Sequence, residues 1–119
     1  MDEALIILTH PPFGRVLAVE SLRMASGLKA MDIDAKLVLI GEATFTLAKN
    51  QDGSGIHMPP MDAALDILAM SETPIAIVQE DMDVLGVKRE DCLDYPFLEI
   101  IDREELEARI AASKCAFRF

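Results

Sequence analysis

The chain has 119 residues, enough for one domain spanning 1–119, and 51% of them are hydrophobic with a mean hydropathy of +0.25. Eleven Lys and Arg against twenty-one Asp and Glu give a net charge of −10. That balance excludes direct nucleic-acid binding, which rests on basic side chains. No apolar run reaches the ~18 residues that a membrane span needs.

The apolar surplus is large for so short a chain, and it predicts that some apolar surface is buried against other subunits. Two acids precede the first apolar run, unlike the basic start of a secretory signal, so a cytoplasmic location is expected. Cys92 and Cys115 stand far apart and in no metal-ligand spacing; in a reducing compartment they are expected as thiols, each a small buried or half-buried side chain.

Ala4 to Thr9 is a continuous apolar run of strand length, as in a strand buried on both faces of a parallel sheet. His10-Pro11-Pro12-Phe13-Gly14 ends it, because proline has no amide to donate to a ladder. From Arg15 to Met31 the spacing becomes helical, with Leu17, Met24, Leu28 and Met31 on one stripe, widened by Leu22 and Ala25. A second strand is predicted over Ala35 to Ile40, followed by a break at Gly41 and a short helix near Ala43 to Ala48.

Asn50 to Pro60 is rich in Gly, Ser, Asp and Pro and reads as a long loop; its His57 is expected to be solvated. Met61 to Met70 is an amphipathic helix with Leu65, Leu68 and Ala69 inward. Pro74 to Val78 is the third strand, and Glu80 to Leu85 a short helix stopped by Gly86. Phe97 to Ile101 is the fourth strand, and Asp102 to Ser113 a helix opened by an Asp N-cap. Cys115 to Phe119 is a candidate fifth strand. This alternation predicts an α/β fold: a three-layer open parallel sheet of four to five strands with helices on both faces, flavodoxin-like in outline.

Such sheets bind ligands beyond the carboxyl ends of their strands. The first turn has neither the G-x-G-x-x-G of a dinucleotide site nor the G-x-x-x-x-G-K-[ST] of a P-loop. It also lacks the hydroxyl- and glycine-rich loop of a flavin phosphate site. Thr9-His10 and Gln79 stand where a phospho-acceptor domain would carry acids. No cofactor and no metal site is predicted, since two lone histidines on distant loops are too few ligands. The strand-tip residues His10, Phe13, Gly14, Gln79 and Glu80 form the candidate ligand or partner edge. The bland reading is that His10 bonds to its own turn and that Glu80 and Asp81 complement a helix dipole.

Several segments match a family. THPPFGRVLAVESLRMASGL followed by LVLIGEATFTL resembles the first half of DsrE/DsrF-like proteins, through Pro12 and Gly14, then Glu20, Leu22, Arg23 and Ala25, then Gly41 and Glu42. IAIVQEDMDVLGV is similar to the third strand, helix and Gly turn of the small DsrH/TusB-type subunits, and the closing FRF to the end of the TusC/DsrF type. The resemblance implies subunits that assemble, as homo-oligomers or as hetero-oligomers with DsrE-like partners, and that pass sulfane sulfur as a cysteine persulfide. In catalytic DsrE/TusD-type subunits that cysteine sits where the third strand meets its helix, which falls here at Val78 or Gln79. A thiolate is the sulfur carrier, so the resemblance implies an accessory, non-catalytic subunit. The alternatives are a sulfurtransferase using a displaced thiol, Cys115 or Cys92, and a module holding a small ligand between the first two strand tips.

Overall fold

The computed structural model describes residues 3–14, 16–51, 55 and 61–119. Five strands form one sheet: β1 (Glu3–Leu8), β2 (Asp34–Leu39), β3 (Ile75–Val78), β4 (Leu98–Ile101) and β5 (Cys115–Arg118). Their order is β4-β3-β2-β1-β5 and every pairing is parallel. Four α-helices lie between them among the described residues: α1 (Leu17–Ala30), α2 (Asp62–Met70), α3 (Gln79–Leu85) and α4 (Arg103–Ala112). A 3-10 helix, Gly41–Leu47, follows β2.

The chain steps from β1 to β4 in one direction and then returns past β1 to place β5 on the far side. Right-handed crossovers put helices on one face while the sheet grows one way and on the other face when it reverses. Accordingly Ile6, Leu8, Leu37, Leu39, Ile75 and Ile77 pack into one cluster with side chains of α1, α2 and α3. Leu5, Val38, Ala76, Val78 and Ile101 form a second, smaller cluster whose helical member is Leu106 of α4. Residue alternation along each strand assigns the two sets to opposite faces.

Two expectations need correction. Met31, predicted to face inward, is 70% exposed, because α1 ends at Ala30 and Met31 lies past its last turn. The side chains α1 buries are Ala18, Ser21, Leu22 and Ala25, three of them small enough to bring the helix close to the sheet. Cys115 is exposed rather than half-buried, since all four residues of β5 stand beyond the helical cover. The short helix expected near Ala43 to Ala48 is the 3-10 helix Gly41–Leu47, and Arg15, His57 and most of the Asn50 to Pro60 loop lie outside the described residues. Gly86, at φ +71°, caps α3 as a left-handed residue, with Val87 N–H donating to Met82 O at 3.0 Å.

Candidate functional site

The carboxyl ends of β1, β2 and β3 lie side by side, so His10 and Gln79 share one edge with the Ile40–Gly41 turn of β2 between them. Two strand spacings separate the tips of β1 and β3, about 10 Å. The edge therefore has two halves with different chemistry.

The β3–β4 half is locked by carboxylates. Asp81 accepts from Gly41 N–H at 2.9 Å through one oxygen and from Arg103 Nη2 at 2.8 Å through the other. Gly41 supplies the φ of +58° that turns its amide toward α3. Glu80 accepts from the Arg103 backbone N–H with both oxygens, at 3.1 and 3.0 Å. Asp102 caps the same helix by accepting from Glu105 N–H at 2.7 Å. The N-terminal amides of α4 are orphan donors, so carboxylates there are stabilising. Neighbours in sequence, Glu80 and Asp81 converge on Arg103, and the helix that Glu80 serves is α4 rather than its own. Gln79 is exposed and donates through Nε2 to Asp83 at 2.8 Å, while Met82 is 98% buried in the larger cluster and is not part of the exposed tip. This clasp was not predicted, because its members are joined by strand order and not by sequence proximity.

The β1–β5 half is where the chain reverses its winding, the position at which doubly wound sheets form a ligand crevice. Thr9 donates both its backbone N–H, at 2.7 Å, and its hydroxyl, at 2.8 Å, to Phe119 O. His10 is half-buried with Nδ1 3.3 Å from the Thr9 hydroxyl. A hydroxyl has one proton, and this one goes to Phe119, so the Thr9 oxygen is left to accept from Nδ1–H. Phe13 is half-buried and belongs to neither core cluster, and Gly14, exposed at φ +93°, closes the turn.

The thiols lie elsewhere. Val78 is fully buried at the end of β3. Cys92 is buried, with Sγ 3.6 Å from Lys88 O, and its desolvation outweighs the nearby Arg89 charge and holds its pKa above the usual thiol value. Cys115 pairs with Ala4 at the amino end of the sheet, opposite the strand tips. Among the described residues no group of three or more His, Cys, Asp or Glu side chains has metal-binding geometry, and no helix is long and apolar enough to cross a membrane.

The fold matches the crystal structure of the ychN protein from E. coli, with a TM-score of 0.83, 23% sequence identity and full coverage of both chains. It also matches MTH1491 from Methanobacterium thermoautotrophicum, a protein of unknown function, with a TM-score of 0.73, 12% identity and full coverage of both chains. A search of curated protein sequences gives no match. The model of the DsrE/DsrF-like family matches residues 2–117, and the chain belongs to that family.

Proposed function

We propose that the chain, as a single domain, is an accessory, non-catalytic subunit of an intracellular sulfur-relay assembly. Membership in the DsrE/DsrF-like family supports the sulfur-relay setting. The accessory role rests on one observation: the end of β3 and the start of α3 hold buried Val78 and exposed Gln79, and neither thiol is at the strand tips. Sulfane sulfur travels on a thiolate, and an aliphatic or amide side chain cannot replace one. On this reading the strand-tip residues His10, Phe13, Gly14, Gln79 and Glu80 face a homologous subunit, in a homo-oligomer or beside DsrE-like partners. Glu80 contributes there by fixing the start of α4.

The exposure of Cys115 favours a second reading, a sulfurtransferase with a displaced thiol. Incubation with a persulfide donor, followed by mass spectrometry of the intact chain, separates the two. The accessory subunit takes up no stable extra sulfur atom, and a Cys92→Ser/Cys115→Ser variant still assembles with DsrE-like subunits and supports transfer by them. A sulfur adduct on either cysteine, with transfer abolished in the variant, overturns the accessory reading.

A further inference from the structure

The strands β4 and β5 are the two edges of the sheet. Phe119 N–H donates to Ile7 O at 2.8 Å and Phe119 O accepts from Thr9 N–H at 2.7 Å, so the backbone groups of Phe119 point at β1. Backbone groups alternate sides along a strand, and the four residues of β5 run beside β1 in regular register without a bulge. Cys115 and Phe117 therefore also point at β1, while the N–H and C=O groups of Ala116 and Arg118 point away from the sheet. Among the described residues those outward groups have no partner. The β4 edge differs: the same parity turns Leu98 outward, and its N–H is already given to Tyr95 O at 3.2 Å.

Edges are commonly blocked by a proline, a bulge or a covering helix. Cys115–Arg118 has none of these, and all of its residues are exposed. Phe117, on the face it shares with Ile6, is 37% exposed. A second copy related by a two-fold axis normal to the sheet pairs antiparallel, with Ala116, Phe117 or Arg118 on the axis. Centring on Arg118 sets that residue against its twin, and centring on Ala116 sets it against Lys114 of the second copy. Like charges directly opposite are destabilising. Centring on Phe117 sets Arg118 opposite Ala116 instead. It also brings the two rings together at a non-hydrogen-bonded position, where side chains are closest.

We propose that β5 pairs with β5 of a second copy of this chain, antiparallel and centred on Phe117, so that two sheets join into one. Ala116 and Arg118 of each copy then exchange both backbone bonds with Arg118 and Ala116 of the other. The outward groups flank Phe117 evenly, which makes this edge complementary to itself. Because the margin around β5 is bare on both faces of each copy, the helical layers do not collide when the sheets meet. The surface is separate from the strand-tip residues and does not depend on whether the chain carries sulfur.

The test places single cysteines in the full chain, Phe117→Cys or Ala116→Cys, each in the Cys92→Ser/Cys115→Ser background. Each variant is oxidised at low concentration and covalent dimer is read on a non-reducing gel. Opposed non-hydrogen-bonded residues have Cα atoms about 4.5 Å apart, within disulfide reach. Ala116 and its twin are diagonal neighbours, about 7–8 Å apart and beyond that reach. Phe117→Cys is therefore expected to cross-link roughly tenfold faster than Ala116→Cys, or more. Charge at position 116 reads the same register with the ring intact. By sedimentation, Ala116→Glu, opposite Arg118, is expected to tighten the dimer about threefold or more, and Ala116→Lys to loosen it by about as much. Cross-linking at 116 as fast as at 117, weakening by both charges, or no cross-link at 117 together with no response to charge would each overturn the proposal.

Discussion

Asp81 and Arg103, 22 residues apart in the chain, meet across the tips of β3 and β4 at 2.8 Å. The Asp81 side chain is 14% exposed and that of Arg103 47% exposed. The two ends of this pair therefore contribute unequally. Asp81→Ala strands the Gly41 amide as well as the guanidinium, and a loss of about 1.5–3 kcal/mol is expected for hydrogen bonds to a charged group. Arg103→Ala removes only a solvent-screened partner, and its cost is expected below ~1 kcal/mol. Urea denaturation of both variants checks the asymmetry; equal losses would mean that the Gly41 contact adds nothing.

Burial of the Tyr95 phenol pushes its pKa up to about 12 from the ordinary value of 10. A folded-state value above the unfolded one means that stability is complete below the unfolded pKa and falls as pH rises toward the folded one. Unfolding free energy is thus expected to be flat in this respect below pH 10 and to decline between about pH 10 and 12. Tyr95→Phe should lack that decline. At neutral pH the variant loses the bond to Thr73 O, at a cost of about 1–2 kcal/mol. Denaturation curves across alkaline pH test both statements.

Glu99 on β4 accepts two bonds from Arg109, at 3.2 and 3.0 Å, and Arg109 also donates to Glu105 at 3.0 Å. The Arg109 hydrogen bonds lower the Glu99 pKa, against a smaller desolvation effect in the other direction. A depressed carboxylate stabilises above its unfolded pKa, and that contribution is lost as pH falls through the folded value. Glu99→Gln is expected to flatten the acid limb of the stability profile while leaving the alkaline limb unchanged. An acid limb identical to the parent's would show that this pair does not couple to folding.

Phe13 distinguishes a partner edge from an ordinary turn. Its ring is half-buried and outside both core clusters, so Phe13→Ala should cost less than the ~3–5 kcal/mol of a fully buried ring. On the proposed partner edge, the same change weakens assembly by ~2 kcal/mol or more. Thermal melting and sedimentation on one preparation read the two effects separately. A loss of melting temperature with unchanged association would remove this edge from the interaction surface.

Much of the architecture was legible because buried parallel strands read as unbroken apolar runs: the predicted runs at Ala4, Ala35, Pro74, Phe97 and Cys115 all became strands, with ends shifted by no more than one residue. The Asp102 cap and the Gly86 stop are local devices, and local devices are visible in sequence. The orientation of α1 was less so. Leu22 and Ala25 are buried as expected, and Leu17, Met24 and Leu28 pack half-buried against the core, but Met31 lies outside it and the small Ala18 and Ser21 are buried instead. The clasp of Gly41, Asp81 and Arg103 was invisible for a different reason: its members become neighbours only once β2, β3 and β4 are placed side by side.

The return of the chain from β4 to β5 has a kinetic consequence. β1 through β4 pair with strands next to them in sequence, while Ala4 to Ile7 must wait for Cys115 to Arg118 to arrive from the far end of the chain. Such long-range closure is slow relative to local pairing. Docked, β5 is exposed on both faces and bonded along one side, so its detachment uncovers little core. Its amides should exchange with solvent by local opening, well before those of β2. Each such opening bares the outer edge of β1, an unpaired apolar strand ready to accept another chain.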